Sequence, residues 1–322
     1  MKFFQQIKAQ FGEPKINKPH ISIVVIIHNM VREAKRTLYS LSSRYQEGIK
    51  CDDYEVIVVD NGSHTEVESS FLESLEGNFS YYYIANALPS PAQAVNYGVT
   101  KASGEFIGIM IDGARMLTPG ILKYAKAAMK SFKEPIVATL GWHLGPDVQN
   151  RSILAGYDKE EEDGLLASID WPNQGYKLFE IASLAESSKD GWFLPISESN
   201  CLFMSRSSFR LLDGLDERFD LPGGGLVNLD LYERACRLKA SELVMILGEG
   251  SFHQIHGGVA TNIGFQDSHQ ERLLWKDQYV ALRKKQFSKP DRPPTYIGHI
   301  GPEANKWLMT SLEYMHHQIK IT

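Results

Sequence analysis

Three apolar runs of the sequence end in polar groups able to handle a charged ligand: His28-Asn29, Asp60-Asn61 and Asp112. A carboxylate at such a point can accept from a base N–H or a ribose hydroxyl, or ligate a metal ion. Aspartate also caps loops on its own account, but two at equivalent strand ends favour ligand binding. Further along, His253 and His256 stand three apart before Gly257-Gly258. Neutral imidazole is a common metal ligand, so this pair is read as a metal or phosphate contact. The plainer alternative has one ring packed on the sheet and the other facing solvent.

The elements that must position these groups alternate. Ile21 to Ile27 and Glu55 to Val59 are nearly continuous Ile and Val, the pattern of strands buried on both faces. Tyr81 to Ile84 and Phe106 to Ile111 read as further strands, with helices expected over Arg32–Tyr45, Val67–Leu75, Pro91–Thr100 and from Thr118-Pro119 to Phe132. Such alternation predicts a doubly wound, mostly parallel α/β sheet. Ligands then bind beyond the carboxyl ends of the strands, where strand order reverses.

From Trp142 to Asn200 the pattern loses its period, and the acidic run Asp158 to Asp163 reads as a solvated loop. A strand from Cys201 to Ser205, a helix from Asn228 to Lys239 and a strand from Leu243 to Leu247 follow, with His253 and His256 in the next loop. Helices over Gln266–Gln286 and Glu303–Ile319 close the chain. The division expected is an extension over 1–20, two halves of an α/β body over 21–141 and 142–264, and a helical appendage over 265–322.

Absent motifs narrow the chemistry. No glycine follows the first strand, which removes the dinucleotide fingerprint, and neither a P-loop nor a Gly-x-Ser-x-Gly elbow is present. The 322 residues are 43% hydrophobic and 23% charged, an ordinary globular composition. Lys and Arg total 34 against 39 Asp and Glu, a net charge of -5 that speaks against nucleic acid as a partner. Three dispersed cysteines fit a reducing compartment. Met1 to Glu13 lacks a signal-peptide pattern, and no apolar run approaches the ~18 residues of a membrane helix. A cytoplasmic setting, including the inner face of a membrane, is expected.

The motifs taken together resemble glycosyltransferase family 2. Ile23 through Asn29 is similar to that family's opening strand, and Glu55-Val56-Ile57-Val58-Val59-Asp60-Asn61-Gly62-Ser63 to its second-strand motif. Asn86, Ala94-Val95-Asn96-Tyr97-Gly98 and Ala102-Ser103-Gly104-Glu105-Phe106-Ile107 continue in order. Ile111-Asp112-Gly113-Ala114 with Leu117-Thr118-Pro119-Gly120 sits where the Asp-x-Asp motif belongs, and Gly214 to Phe219 with Asp230 to Arg234 resembles the acceptor-side motif.

The resemblance implies a GT-A fold, an inverting displacement from a nucleoside diphosphate sugar, and a divalent cation, Mn2+ or Mg2+. Asp60 would accept the base N–H, Ile27 and Asn29 would line the nucleoside pocket, and Asp112 would lie near ribose and metal. His253 and His256 join Asp112 as candidate metal ligands. Two positions depart from the pattern. Ala114 replaces the second Asp, and Val227-Asn228 replaces the Glu-Asp pair that carries the catalytic base. An amide takes no proton at neutral pH, so the role is expected of Asp230, with Asp216, Asp220 and Glu198 as further carboxylates. Arg115 could face the diphosphate as a permanent cation, or be an ordinary loop arginine.

Trp142, Trp171, Tyr176, Trp192 and Phe193 crowd the irregular segment, where one or two could stack on an acceptor sugar. Trp307, Leu308, Ser311, Leu312 and Met315 form a stripe expected to pack on the body or on a second subunit. The reading that results is a UDP-sugar-dependent glycosyltransferase acting on a glycan or lipid-linked acceptor in surface polysaccharide assembly. It allows peripheral membrane association and oligomerisation through the C-terminal helices. A degenerate relative that binds a nucleotide sugar or glycan without transfer is the alternative.

Overall fold

The computed structural model describes residues 20–257 and 269–321. The extension expected over 1–20 thus lies outside the described residues apart from His20, as does the start of the helix expected from Gln266. Ten strands form one curled, mixed sheet: β1 (Ile21–Ile27), β2 (Tyr54–Asp60), β3 (Phe79–Tyr83), β4 (Phe106–Met110), β5 (Arg115–Leu117), β6 (Pro135–Leu144), β7 (Ala182–Leu184), β8 (Leu202–Ser205), β9 (Glu242–His253) and β10 (Thr295–Gly298). Their main order is β10-β9-β6-β8-β4-β1-β2-β3. The helices are α1 (Val31–Ser40), α2 (Ser69–Ser74), α3 (Ala92–Lys101), α4 (Ile121–Ser131), α5 (Gln149–Ser152), α6 (Lys159–Ser168), α7 (Arg206–Leu211), α8 (Val227–Cys236), α9 (His269–Arg283) and α10 (Asn305–Ile321).

Strand β1 shows why the sheet forms. All seven of its residues are buried, and alternation sends Val24 and Ile26 to one face and Ile21, Ile23, Val25 and Ile27 to the other. The second face is covered by α1 and α4 through Ala34, Leu38, Ile121 and Ala125, the first by α3 and α8 through Val95 and Leu231. β2 and β4 flank β1 in parallel register, so the chain winds outward in both directions from β1. That reversal leaves a crevice beyond the C-terminal ends of β1 and β4. β8 then runs antiparallel to β4, and β6 and β9 extend the sheet as a parallel pair.

The middle of the chain is more regular than its sequence pattern. β6 is fully buried and crosses the boundary expected at 141/142. The acidic run is the start of helix α6, not a loop: Asp158 caps it by accepting from the backbone N–H of Glu160 and Glu161. Glu162 is fully buried, and Asp163 pairs with Arg32 and Arg36 of α1. β9 runs on to His253, so this histidine belongs to a strand and not to the loop after it. The C-terminal segment supplies the edge strand β10, and α10 docks through Trp307, whose indole N–H donates to the Phe179 carbonyl, and through the buried Ser311. Leu312, Met309 and Ile319 stay exposed. Among the described residues no helix is long and apolar enough to cross a membrane.

Glu249, in the middle of β9, is buried against the start of α4, accepting from the Gly120 N–H at 3.1 Å and the Tyr176 hydroxyl at 2.8 Å. Burial pushes its carboxyl up to about 7. The native state therefore holds a proton between about pH 4.5 and 7 that the unfolded chain has released, so stability falls as pH rises through that window. Glu249→Gln is expected to reduce this slope, which is at most about 1.4 kcal/mol per pH unit for one group. Thermal melts between pH 5 and 8 measure it; an unchanged slope would refute the assignment. Glu162, also pushed up to about 7 by burial, contributes a slope of the same sign, and the buried His143 and His253, pushed down by burial, contribute one of opposite sign.

Candidate active site

The crevice is a cleft of about 1030 Å3. Ile27, Asn29, Asn61 and Gly62 line one side, Asp112 and Arg115 the floor, and Glu198, Asn200, Asn228 and Trp275 the other side. Gly113 is what lets the floor form. Its N–H donates to the Ile26 carbonyl at 2.7 Å, and a Cβ there would sit 2.5 Å from Ile27 Cγ2. Only glycine allows the chain after β4 to fold across the end of β1 and turn Asp112 into the cleft.

Below the floor, three strands align side chains in one rung. Arg115 of β5 and His143 of β6 both pair in register with His253 of β9. His253 lies 2.9 Å from Asp112 through its Nε2, and 3.2 Å from the Nε2 of His256. Gln149 fixes which nitrogen of His253 carries the proton. Its amide N–H donates to the His253 carbonyl at 3.0 Å, so its Oε1, 2.6 Å from His253 Nδ1, must accept from that nitrogen. His253 Nε2 is then a lone pair aimed at a carboxylate. Burial pushes His253 down to about 4, so at neutral pH the imidazole does not supply a proton to reconcile the two acceptors. Burial disfavours the Asp112 anion, but the two histidines and Arg115 outweigh it and hold this carboxyl well below its ordinary value. Ligand atoms of Asp112, His253 and His256 all lie within 4.8 Å of one another. One carboxylate and two imidazoles, one of them locked by a neighbouring amide, are a fitting donor set for a divalent transition metal.

The sequence-expected residues divide. Ile27, Asn29, Asp112 and His256 line the cleft, and His253 joins them from beneath. Asn29 adopts a left-handed φ of 51° and knits the rim, its Oδ1 accepting from the His64 N–H at 2.8 Å. Asp60, expected to accept the base N–H, is placed outside the cleft lining. It is fully buried, with one oxygen accepting from the Ser63 N–H at 2.7 Å and the other from the Tyr81 hydroxyl at 2.6 Å. Strand alternation is the reason: Asp60 follows Val58 into the core, and its neighbour Asn61 emerges in the cleft.

Asp230, expected as the base, is placed elsewhere too. It is fully buried and outside the cleft lining, with Oδ2 accepting 2.7 Å bonds from both Arg234 and Arg283. Asp216 pairs with Arg218 and Arg283, which hold it well below its ordinary value, and Asp220 accepts from Gln278 at 2.7 Å. All three carboxylates anchor α9. Of the aromatics expected near a sugar, Trp142 and Trp192 are fully buried, with Trp142 stacked on Phe252, and Trp171 packs on Tyr39 and Tyr45. None of the five lines the cleft. Among the described residues the Phe, Tyr or Trp that does is Trp275, and a Cβ on Gly225 would lie 3.1 Å from its ring. Trp275 carries no sequence signal beyond its place on a helix otherwise rich in charge.

No curated protein matches the sequence. Among solved structures, TarS of S. aureus superposes with a TM-score of 0.50 at 12% identity, over 81% of this chain and 43% of that one. The mannosyltransferase PcManGT of Pyrobaculum calidifontis, solved with GDP-Man and Mn2+, gives a TM-score of 0.50 at 15% identity, over 93% of this chain and 70% of that one. At these identities the likeness is one of fold, and the fold is GT-A. Residues 22–112, the stretch that carries Ile27, Asn61 and Asp112 to the cleft, match the family described as Glycosyl transferase family 2.

Proposed function

We propose that the protein transfers a sugar, with inversion, from a nucleoside diphosphate donor to a hydroxyl of a glycan or lipid-linked acceptor. The observation that carries this reading is the Asp112, His253 and His256 cluster at the floor of an open cleft, at the topological switch point of the sheet. Ile27, with Asn61 and Gly62 beside it, forms the nucleoside wall. Because the Asn61 Nδ2 donates to the Leu88 carbonyl at 3.0 Å, its Oδ1 is the atom left to accept a base N–H, as uracil N3 offers. We propose a UDP-sugar as the donor, which the GDP arm of the titration below checks because guanine N1 offers the same kind of N–H, and surface polysaccharide assembly as the setting.

Asp112, His253 and His256 would hold a divalent cation, Mn2+ or Mg2+, which supplies neutralisation of charge on the departing diphosphate. Gln149 keeps His253 in the tautomer this needs, and Arg115 adds a fixed positive charge 3.5 Å from Asp112. A second reading, binding without transfer, draws on Ala114 and Asn228, which replace two acidic positions of the family pattern.

Titration calorimetry with UDP and GDP, with and without Mn2+, tests the donor site. The expected result is UDP binding that Mn2+ tightens at least about 10-fold, in the range of a several-kcal/mol Lewis-acid contact. Binding of neither nucleotide would overturn the proposal. Metal-dependent binding, with neither transfer to any acceptor nor hydrolysis of the donor, would select the second reading.

A further inference from the structure

Resting on the transferase reading, we infer that Glu198 is the catalytic base that deprotonates the acceptor hydroxyl. Among the described residues lining the cleft there are two carboxylates, Asp112 and Glu198. Asp112 is committed: Oδ2 faces His253 at 2.9 Å, and Oδ1 accepts from the Ala114 N–H at 3.0 Å. Asp230, Asp216 and Asp220 are taken by the anchoring of α9. Asn228, in the first turn of α8, reaches the cleft but is an amide.

Glu198 is held as a base should be. Its Oε2 accepts a 2.7 Å bond from Asn228 Nδ2, which also lies 3.2 Å from Asn200 Oδ1. That bond fixes one oxygen at the N-terminal turn of α8. The backbone beside it is pinned as well. The buried Ser199 Oγ accepts from the Thr139 N–H at 3.0 Å and bonds the Thr139 and Cys201 carbonyls at 3.1 Å. Asn228 thus positions the base, with the acid supplied from the segment leading into β8. In the step, the acceptor oxygen bonds the anomeric carbon as Glu198 takes its proton. The bond from that carbon to the diphosphate oxygen breaks, and its electron pair leaves with the nucleoside diphosphate. Solvent then recovers the proton from Glu198.

The test uses the full chain with UDP-sugar, Mn2+ and the acceptor that supports transfer. Glu198→Gln is expected to lower kcat about 10²–10⁴-fold with UDP affinity unchanged, as for loss of a general base. Adding Asn228→Asp to that variant is expected to restore at least tenfold of the loss, a rescue that a purely structural role would not give. Asn228→Asp alone sets two carboxyls at hydrogen-bond distance, which split their titrations, so the acid limb of its kcat–pH profile should shift by at least one unit. Wild-type kcat in Glu198→Gln would overturn the inference. An unmoved acid limb in Asn228→Asp would do so even if the glutamine variant fails to fold. A wild-type chain that binds UDP-sugar and neither transfers nor hydrolyses it overturns the transferase reading itself.

Discussion

His253→Ala is expected to cost about 10²–10³-fold in Mn2+-supported UDP affinity and a similar factor in turnover, the scale of losing a several-kcal/mol metal contact. The argument is one of donors. His253 is the ligand whose lone pair is set by another residue, and its removal takes the one fully buried imidazole from the Asp112, His253 and His256 set. Gln149→Leu tests the same point more gently. It leaves all three ligand side chains in place and frees the His253 tautomer, so a loss of about 10–100-fold is expected. Calorimetry with Mn2+ and UDP, and turnover at saturating metal, read both variants. If His253→Ala keeps wild-type Mn2+-dependent affinity, the cluster is not the metal site. Thermal melts separate this from misfolding, since Arg115 and His143 keep their strand pairings on either side.

How far the sequence reveals this site follows from what each strand must bury. β1 and β2 are legible because both faces are covered, and their nearly continuous Ile and Val is the commonest signature of that burial. The same reading does not settle which end residue faces the ligand. Asp60 and Asn61 are adjacent, and a period of two sends one to Tyr81 and the other to the cleft. β9 is harder still. Gly248, Glu249 and Gly250 interrupt its apolar pattern, and a register shift against β6 between Ala138 and Leu140 absorbs them. That irregularity carries the strand on to His253, so the residue reads from sequence as part of a loop. β6 begins at a proline and ends in Gly141-Trp142-His143-Leu144, which hides a fully buried strand. Long-range ion pairs leave no local trace at all: nothing near Asp230 in sequence announces Arg283.

Asp230→Ala is therefore expected to act on stability and only indirectly on catalysis. Asp230 is fully buried and takes bonds from two arginines of different helices, Arg234 of α8 and Arg283 of α9. Breaking a buried pair from one side costs about 3–5 kcal/mol, because the surviving charge stays desolvated. Both guanidiniums are partly exposed, and Arg283 keeps Asp216, so the lower end, about 3 kcal/mol, is the expected value. For a chain of 322 residues that is a fall of roughly 4–5 °C in Tm. Since Arg283 closes α9, the loss also loosens the helix that carries Trp275 to the cleft. KM for the acceptor should rise while kcat at saturation stays within about threefold, against the 10²–10⁴-fold fall that loss of a base produces. A variant with wild-type Tm and a collapsed kcat would return Asp230 to the catalytic role and remove it from Glu198. Arg283→Met provides the cross-check: an anchoring role predicts that it reproduces the fall in Tm and the rise in KM, which no proton-transfer role for Asp230 would require.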